Sequence, residues 1–373
     1  MNKKWKTLAV GICFLVGAGK TNATSYFTAV GNSVTSYDFN LSGGITHVAY
    51  ESGGNIYYTE QTFDSNSWSA PQLIGAGTGP SIAFQAGTAY VSFINGGTLN
   101  VSSYSGSWSS TDLGTGAETA NIRTDSAGTI HLFSSVTSGY GSINYTQNLG
   151  NGWAANTNLA TGWYGSGSGN YYHQAVMTTG ANAVGYQFIY DFQNWGGRVS
   201  WSSESIETSG LSGWPSPGVG WNSGTIIGAG GLSIAANGNI MAGYMNGGIG
   251  YVQSYNGAVW SGVSLGSATN VSVFCDASGG NIVNYVSSGL LYQSLDGGTT
   301  SQNVTISGTN AAGSQPLYQY LDSERSQLFY IDSATGSLMS YSVPEPSAIW
   351  LVLLAAGAFF SRRPLWRQGR LVA

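Results

Sequence analysis

Charged residues make up only 7% of this 373-residue sequence, and positive charge is nearly absent from its middle. All four lysines lie within the first 20 residues. Between Thr24 and Ser342 the only cations are Arg123, Arg198 and Arg325, against fifteen Asp and Glu residues, so this segment carries a net charge of about −12. An acidic segment is repelled by phosphate groups. We therefore predict no nucleic-acid partner and no binding to anionic membrane surfaces.

The chain is also poor in cysteine and histidine, with two of the first and three of the second. Cys13 lies in the N-terminal apolar stretch, so Cys275 has no disulfide partner in the body, and the fold must be held together by packing. His47 and His131 occupy equivalent places in repeated segments, which favours packing with a satisfied hydrogen bond over metal ligation. The sequence has no Asp-rich calcium-binding loop. We predict no metal site and no cofactor.

A helical period is missing between residues 24 and 342, where short alternating strand patterns recur instead. A turn containing Gly, followed by a strand, occurs seven times at intervals of 41 to 56 residues. The copies begin at Gly53, Gly96, Tyr140, Gly196, Gly247, Ser288 and Thr335. Glycine supplies the positive φ that tight hairpins need. The interval is the length of one four-stranded propeller blade.

These repeats predict an all-β fold, a seven-bladed β-propeller of four-stranded blades that spans residues 24–342. The seventh unit has no fourth strand, and a strand-like segment at 25–30 belongs to no unit. We expect this N-terminal strand to complete the last blade, since that closure joins the two ends of the ring and removes a free edge. A ring of six or eight blades and a twisted β-sandwich are the alternatives.

Two segments, 146–153 and 294–301, carry the pattern of a small polar residue, an Asn or Asp and a Gly at alternate positions. They resemble the Asp-box turns of sialidase-like propellers, in which the Asp or Asn side chain caps its own turn and a Trp fills a gap between strands. Such turns are structural. The resemblance therefore supports the propeller architecture and does not by itself imply an activity.

A sialidase would need three arginines that converge on a carboxylate. Arg123, Arg198 and Arg325 are predicted in a first strand, in the turn into a third strand and in a seventh-unit turn, so we do not expect them to meet. Hydrolases with two carboxylates need a raised-pKa acid beside a second carboxylate, and the sequence singles out no such pair. We predict no catalytic residue. A propeller glycoside hydrolase or lyase is the alternative.

The N-terminus has the features of a secretory signal peptide. Lys3, Lys4 and Lys6 precede an apolar stretch at 8–18, and small or polar residues follow through Ala23. We assign residues 1–23 to this signal, and the chain is therefore predicted to be exported.

The C-terminus combines the sequence Val343-Pro344-Glu345-Pro346, an apolar run at 348–360 and the basic pair Arg362-Arg363. The prolines interrupt regular structure, and the arginines favour the cytoplasmic side of a membrane. Residues 343–373 resemble a PEP-CTERM sorting signal. The resemblance implies a transmembrane helix at 348–360 and processing by an exosortase.

The same resemblance implies association with the exopolysaccharide and biofilm of a Gram-negative bacterium. The apolar run of thirteen residues is shorter than the roughly 20 that a membrane-spanning helix needs. A C-terminal amphipathic or tail-anchor helix, beside a chance Pro-Glu-Pro sequence, is the alternative.

The fourth unit breaks the repeat because it is longer and unusually aromatic. Aromatic faces stack on sugar rings, polar side chains bond hydroxyls, and loops on a rigid scaffold often carry binding groups. The residues that we select as a ligand-binding site on this basis are Tyr171, Tyr172, His173, Tyr190, Asp191 and Trp195. The alternative is that 186–190 is a second strand whose rings pack between blades.

These features together predict an exported protein of the cell envelope or extracellular matrix, anchored in the inner membrane or processed by an exosortase. We expect its propeller to be a non-catalytic binding module. The expected partner is polysaccharide or an envelope protein.

Overall fold

The computed structural model describes most of the chain between Tyr26 and Pro344. The described residues are 26–62, 65, 67–125, 127–136, 142–161, 176–179, 183–192, 198–207, 210–212, 226–234, 240–246, 248–255, 260–275, 281–299, 301–303, 317–322 and 325–344. From 159 to 232 the description covers only the backbone of the strands.

Strands are the regular elements of this described part, and they form seven antiparallel sheets of four strands each. In six of the sheets the spatial order of the strands is their order in the chain. The strands of these six sheets are β2 Val34–Ser42, β3 Ile45–Ser52, β4 Asn55–Thr62 and β5 Gln72–Ala76; β6 Thr78–Gln85, β7 Thr88–Asn95, β8 Thr98–Tyr104 and β9 Trp108–Thr115; β10 Thr119–Thr124, β11 Ile130–Val136, β12 Ser142–Asn148 and β13 Thr157–Thr161; β14 Val176–Thr179, β15 Ala183–Phe192, β16 Arg198–Glu207 and β17 Gly210–Ser212; β18 Ile226–Ile234, β19 Ile240–Asn246, β20 Ile249–Tyr255 and β21 Trp260–Ser267; β22 Asn270–Cys275, β23 Asn281–Ser287, β24 Leu290–Ser294 and β25 Gln302–Asn303.

The remaining sheet joins the two ends of the described chain. Its strands are β26 Leu317–Asp322, β27 Arg325–Ile331 and β28 Leu338–Pro344, with β1 Tyr26–Gly31 on the outer side of β28. Tyr26 pairs with Ser342 in this ladder. The N-terminal strand therefore completes the sheet that the sequence left one strand short, and the all-β prediction is confirmed.

Where the turn residues are described, the predicted turns lie between the second and third strands of a sheet. Between β3 and β4, for example, Gly53 and Gly54 have φ of +58° and +74°. Two consecutive positive φ values belong to the hairpin turn whose twist matches that of the strands, and glycine adopts them without strain.

Strand β28 extends two residues into the predicted sorting motif. Val343 and Pro344 pair with Ser326 and Arg325 of β27, whereas the pairing with β1 begins at Ser342. Proline is tolerated at such a strand end because no ladder bond from its missing N–H is needed there. Within the described residues, no helix has the length and apolar character required to cross a bilayer.

Contacts between sheets follow the order of the chain. The first strands of successive sheets, β2, β6, β10, β14, β18 and β22, contact one another in turn, and β26 contacts both β22 and β2. The apolar core lies between adjacent sheets, as where Ile56 and Tyr58 pack against Ile82, Val91 and Phe93. Burying these apolar side chains between sheets is the main favourable contribution to folding.

The junction between the last and first sheets contains a buried polar network. Thr46 donates to the Gln327 side chain at 3.0 Å, and Gln327 donates to Gln61 at 3.1 Å. The Tyr37 hydroxyl donates to the Phe329 carbonyl at 2.8 Å. Gln327 is only 1% exposed, so these hydrogen bonds satisfy groups that would be costly to bury alone.

Tryptophan contacts show that β1, the outer strand of the last sheet, is equivalent to β5, the outer strand of the first sheet. The Trp68 indole N–H donates to Thr28 of β1 at 3.1 Å, and the Trp108 indole N–H donates to Gln72 of β5 at 3.2 Å. Thr28 therefore corresponds to Gln72, and Gly31 at the end of β1 corresponds to Gly75.

This correspondence gives a matched test of the closing strand. A Cβ on Gly31 would lie 2.7 Å from the Tyr50 ring, which is 4% exposed and stacked on Tyr57, whereas a Cβ on Gly75 would lie 3.7 Å from Phe93. We expect Gly31→Ala to lower the free energy of unfolding by about 1–3 kcal/mol through overpacking. Gly75→Ala should change it by less than about 0.5 kcal/mol. Chemical denaturation measures both, and equal losses would contradict the packing of β1 against the first sheet.

Candidate functional site

The first strand of each sheet has an edge that no strand of its own sheet covers, and polar side chains fill part of this gap. On β2, Tyr37 and Phe39 contact Phe329 of the last sheet. Because side chains alternate along a strand, Asp38 between them points the other way, toward β6. There it accepts a hydrogen bond from the backbone N–H of Ile82 at 3.0 Å.

The Asp38 carboxylate is saturated with hydrogen bonds. Arg123 of β10 donates to both of its oxygens, at 2.6 Å and 3.2 Å, and Ser81 donates at 2.7 Å. The N–H groups of Ile82 and Phe39 complete the set at 3.0 Å each. Five donors occupy an acceptor with about four lone-pair sites, so Asp38 has no free position for a general acid or base.

Ser81 repeats the role of Asp38 one sheet further on. Its hydroxyl oxygen accepts from the backbone N–H of Ile122 at 3.1 Å and from Arg123 at 2.9 Å. The first strands β2, β6 and β10 are thus joined by side chains that satisfy the next strand's edge. We name Asp38, Ser81 and Arg123 the inner cluster.

Two histidine–tyrosine pairs lie further out, on the second and third strands of two sheets. In the ladders, His47 lies opposite Glu60 and His131 lies opposite Gln147. Tyr58 precedes Glu60 by two residues, and Tyr145 precedes Gln147 by two, so each tyrosine is a diagonal neighbour of its histidine on the same face of the sheet. His47 Nδ1 lies 2.7 Å from the Tyr58 hydroxyl. Burial lowers the pKa of His47 by more than the Glu60 carboxylate raises it. Burial and the hydrogen bond to Glu60 both raise the pKa of Tyr58, which therefore stays protonated.

Asp125 and His131 form the carboxylate–imidazole pair that orients a base in many hydrolases. His131 Nε2 lies 3.0 Å from Asp125, and Nδ1 lies 2.8 Å from the Tyr145 hydroxyl. Burial raises the pKa of Asp125, but hydrogen bonds from His131 and from the N–H groups of Thr129 and Ala127 outweigh this and leave it lowered. Burial lowers the pKa of His131 by more than Asp125 raises it.

An ionised carboxylate can only accept, so His131 Nε2 donates its hydrogen to Asp125. Nδ1 contacts the Tyr145 hydroxyl, which itself donates to Gln147 Oε1 at 3.0 Å and whose pKa burial and Asp125 raise to about 12. Both ring nitrogens are engaged, and the residue is 5% exposed. The dyad has no nitrogen turned to solvent, and its counterpart at His47 confirms that this position belongs to the repeat.

The two Asp-box-like turns differ from each other in the side chain that caps them. Asn148 Oδ1 accepts from the Gly150 N–H at 2.8 Å, as predicted. In the other turn the cap is the Ser294 hydroxyl, which accepts from the Gly298 N–H at 2.8 Å and donates to Asp296 at 2.6 Å. Both turns are held by their own side chains, which is a structural use.

The predicted ligand-binding residues fall in the fourth unit. Tyr190 and Asp191 lie near the end of β15, the second strand of its sheet, where they pair with Ser200 and Val199. Their side chains are outside the description, as are the residues Tyr171, Tyr172, His173 and Trp195. The structure therefore leaves this site a prediction.

The sorting motif is described only at Val343 and Pro344, in β28. Its other residues, Glu345, Pro346, Arg362 and Arg363, lie outside the described ranges, as does the predicted helix at 348–360. Among the residues that are described, no three His, Cys, Asp or Glu side chains lie together in an arrangement that could hold a metal ion.

Sequence reasoning missed Asp38, although a signal was available. Asp38 precedes Phe39 in β2 just as Ser81 precedes Ile82 in β6, so the two polar residues occupy the same position of the repeat. A buried acid where the next unit has a hydroxyl needs a cation nearby, and Arg123 is one of only three in the body.

A double-mutant cycle tests whether the inner cluster ties the first strands together. Asp38→Ala leaves the Arg123 guanidinium and two strand N–H groups without their acceptor, and should cost roughly 3 kcal/mol of unfolding free energy. Arg123 is 25% exposed, so water offsets part of the loss. The doubly substituted chain should lose less than the sum of the single losses, by about 1–3 kcal/mol. Additivity to within about 0.5 kcal/mol, measured by denaturation, would show that the pair is not coupled.

No protein-family model and no curated protein matches this sequence. Solved structures do match the fold. Polysaccharide lyase Uly1 is 10% identical over 82% of this chain and 89% of its own, with a TM-score of 0.55. The β-propeller domain of the Trilobed protease from Pyrococcus furiosus is 8% identical over 85% of this chain and 98% of its own, at 0.54. Oligogalacturonate lyase, in complex with manganese, is 9% identical over 83% and 88%, at 0.53. Such identities show a shared fold alone, and the chain therefore has a β-propeller-like fold.

Proposed function

We propose that this chain is an exported cell-envelope or extracellular-matrix protein whose propeller is a non-catalytic binding module for polysaccharide or an envelope protein. The observation that carries the proposal is the use of the described ionisable clusters inside the fold. Asp38 and Arg123 neutralise each other, and Asp125 and His131 are held between strands. Side chains committed in this way are not available to transfer protons to a ligand.

The body is a single closed ring of seven blades in this proposal. The supporting observations are the seven four-stranded sheets, the chain-ordered contacts of their first strands, and the pairing of β1 with β28. A ring of this kind holds its blade-connecting loops in fixed positions, which is the property that a binding scaffold needs.

Polysaccharide is the favoured ligand class because of the composition of the body. It carries few cations, a net charge of about −12 and many Ser, Thr, Asn and aromatic side chains. Two of the proteins that share its fold are a polysaccharide lyase and an oligogalacturonate lyase. The ligand-binding residues proposed for this function are Tyr171, Tyr172, His173, Tyr190, Asp191 and Trp195.

A propeller glycoside hydrolase or lyase is the second candidate, favoured by the same two lyase folds. It requires a cluster of carboxylates or a reactive tyrosine open to solvent. The inner cluster and the histidine–tyrosine pairs do not provide one, so the enzyme would need other residues.

The ends of the chain belong to the same proposal. Residues 1–23 direct export, and 343–373 anchor the protein in the inner membrane until an exosortase processes it. Replacing Glu345 by Ala in an exosortase-bearing host should keep the protein in the membrane fraction, whereas the unaltered chain moves to the envelope or medium. Glu345→Asp retains the charge and serves as the control. Equal release of the Ala variant and the unaltered chain would reject the sorting assignment.

Binding and turnover separate the two candidate functions. The full chain is applied to a glycan array, and each bound glycan is then incubated with the protein and assayed for new reducing ends and unsaturated sugars. We expect saturable binding without product, and at least a tenfold loss of affinity in Trp195→Ala because a stacking face is removed. Trp195→Phe keeps an aromatic face and should retain most of the affinity. Product release by the unaltered chain would replace the binding module with an enzyme.

A further inference from the structure

The junction between β1 and the first sheet contains an open groove of about 420 Å³. One wall is the outer strand at Thr28, Ala29 and Val30. The other wall is the segment between β4 and β5, at 67–71, which includes Trp68 and Pro71. The volume lies within the range of small-molecule sites. None of the residues that line the groove carries a charge.

Trp68 is held in place on this wall by two contacts. Its ring stands edge-on to Phe329, with centroids 6.0 Å apart and planes at 64°, and its N–H donates to the Thr28 hydroxyl oxygen at 3.1 Å. A ring fixed by packing and a hydrogen bond loses little conformational entropy when a ligand stacks on it. Thr28 accepts through its oxygen, so its hydroxyl hydrogen can turn toward a ligand acceptor.

The next junction has the same tryptophan arrangement but larger side chains on its outer strand. There Trp108 also donates to the preceding outer strand and also stands edge-on to an aromatic ring, Tyr58, at 5.2 Å and 66°. The positions of Thr28 and Ala29 are taken by Gln72 and Leu73, which are larger. Leu73 is 58% exposed, so this larger side chain projects at the surface rather than into the core.

We propose that the groove binds one neutral sugar ring, stacked on Trp68 and hydrogen-bonded through Thr28 and Ser67. A saccharide fits because its apolar C–H face and its hydroxyls match an indole beside hydroxyl groups. A neutral one fits because the lining is uncharged and the body, at about −12, repels uronates. The ligand class rests on the proposed polysaccharide function. The location of the binding site rests on the groove alone.

The test fills the groove with the residues of the neighbouring junction. The double substitution Thr28→Gln and Ala29→Leu copies Gln72 and Leu73, so it keeps Trp68 and its hydrogen-bonded partner type. The full chain and this filled variant are titrated by calorimetry with cellotriose, maltotriose and mannotriose, and with trigalacturonate as the acidic probe. Leu73→Ala is the matched control, since it alters the corresponding surface position of β5.

We expect a neutral trisaccharide to bind the unaltered chain, to lose at least tenfold in affinity for the filled variant, and to bind Leu73→Ala unchanged. Equal affinity in the filled variant would overturn the groove while leaving the proposed function in place. An equal loss in Leu73→Ala, or binding of trigalacturonate alone, would overturn it as well. If no neutral probe binds, the groove proposal is wrong. If no glycan on the array binds either, the proposed polysaccharide-binding function is also wrong.

Discussion

The pairing of β1 with β28 is the constraint on which the rest of the structure depends. It gives the last sheet its fourth strand from the opposite end of the chain, with Tyr26 beside Ser342. The Trp68 hydrogen bond to Thr28 exists only because β1 is there. Gln327, which bonds Thr46 and Gln61, lies on β27, and β1 covers the outer edge of the neighbouring strand β28. A free outer edge at this point would expose unpaired backbone groups and invite association between chains.

Between the first strands β2, β6 and β10, hydrogen bonds and one ion pair connect neighbouring sheets. The first strands have uncovered edges, and Asp38 and Ser81 satisfy the N–H groups of Ile82 and Ile122 on the following strand. This arrangement needs a short polar side chain at one position of the repeat. It explains how a chain with so few cations can still bury an acid, because Arg123 reaches across two junctions to neutralise it.

The sequence predicted the strands, the hairpin turns and the closing strand because each has a local signal. Gly53-Gly54 marks a turn by itself, and the segment 25–30 was the one strand pattern without a unit. The inner cluster and the groove are formed by residues of different sheets. The repeat in the sequence predicts the sheets but not which side chains of neighbouring sheets come into contact. The groove is harder still to predict, because its outer-strand wall has Thr28 and Ala29 where the next junction has Gln72 and Leu73. Only an alignment of β1 with β5, which the tryptophan contacts supply, makes that difference visible.

The proposed binding of a neutral polysaccharide agrees with where the described charges lie. Asp38 and Arg123 neutralise each other, and the Asp125–His131 pair is buried, so these groups contribute little of the field that steers charged ligands. The described groove presents an indole, a proline and hydroxyl groups. Contacts of this type are individually weak and insensitive to salt, and they gain strength when several act on one long ligand. The proposed ligand, a polymer with repeated neutral units, meets that requirement better than a small charged molecule does.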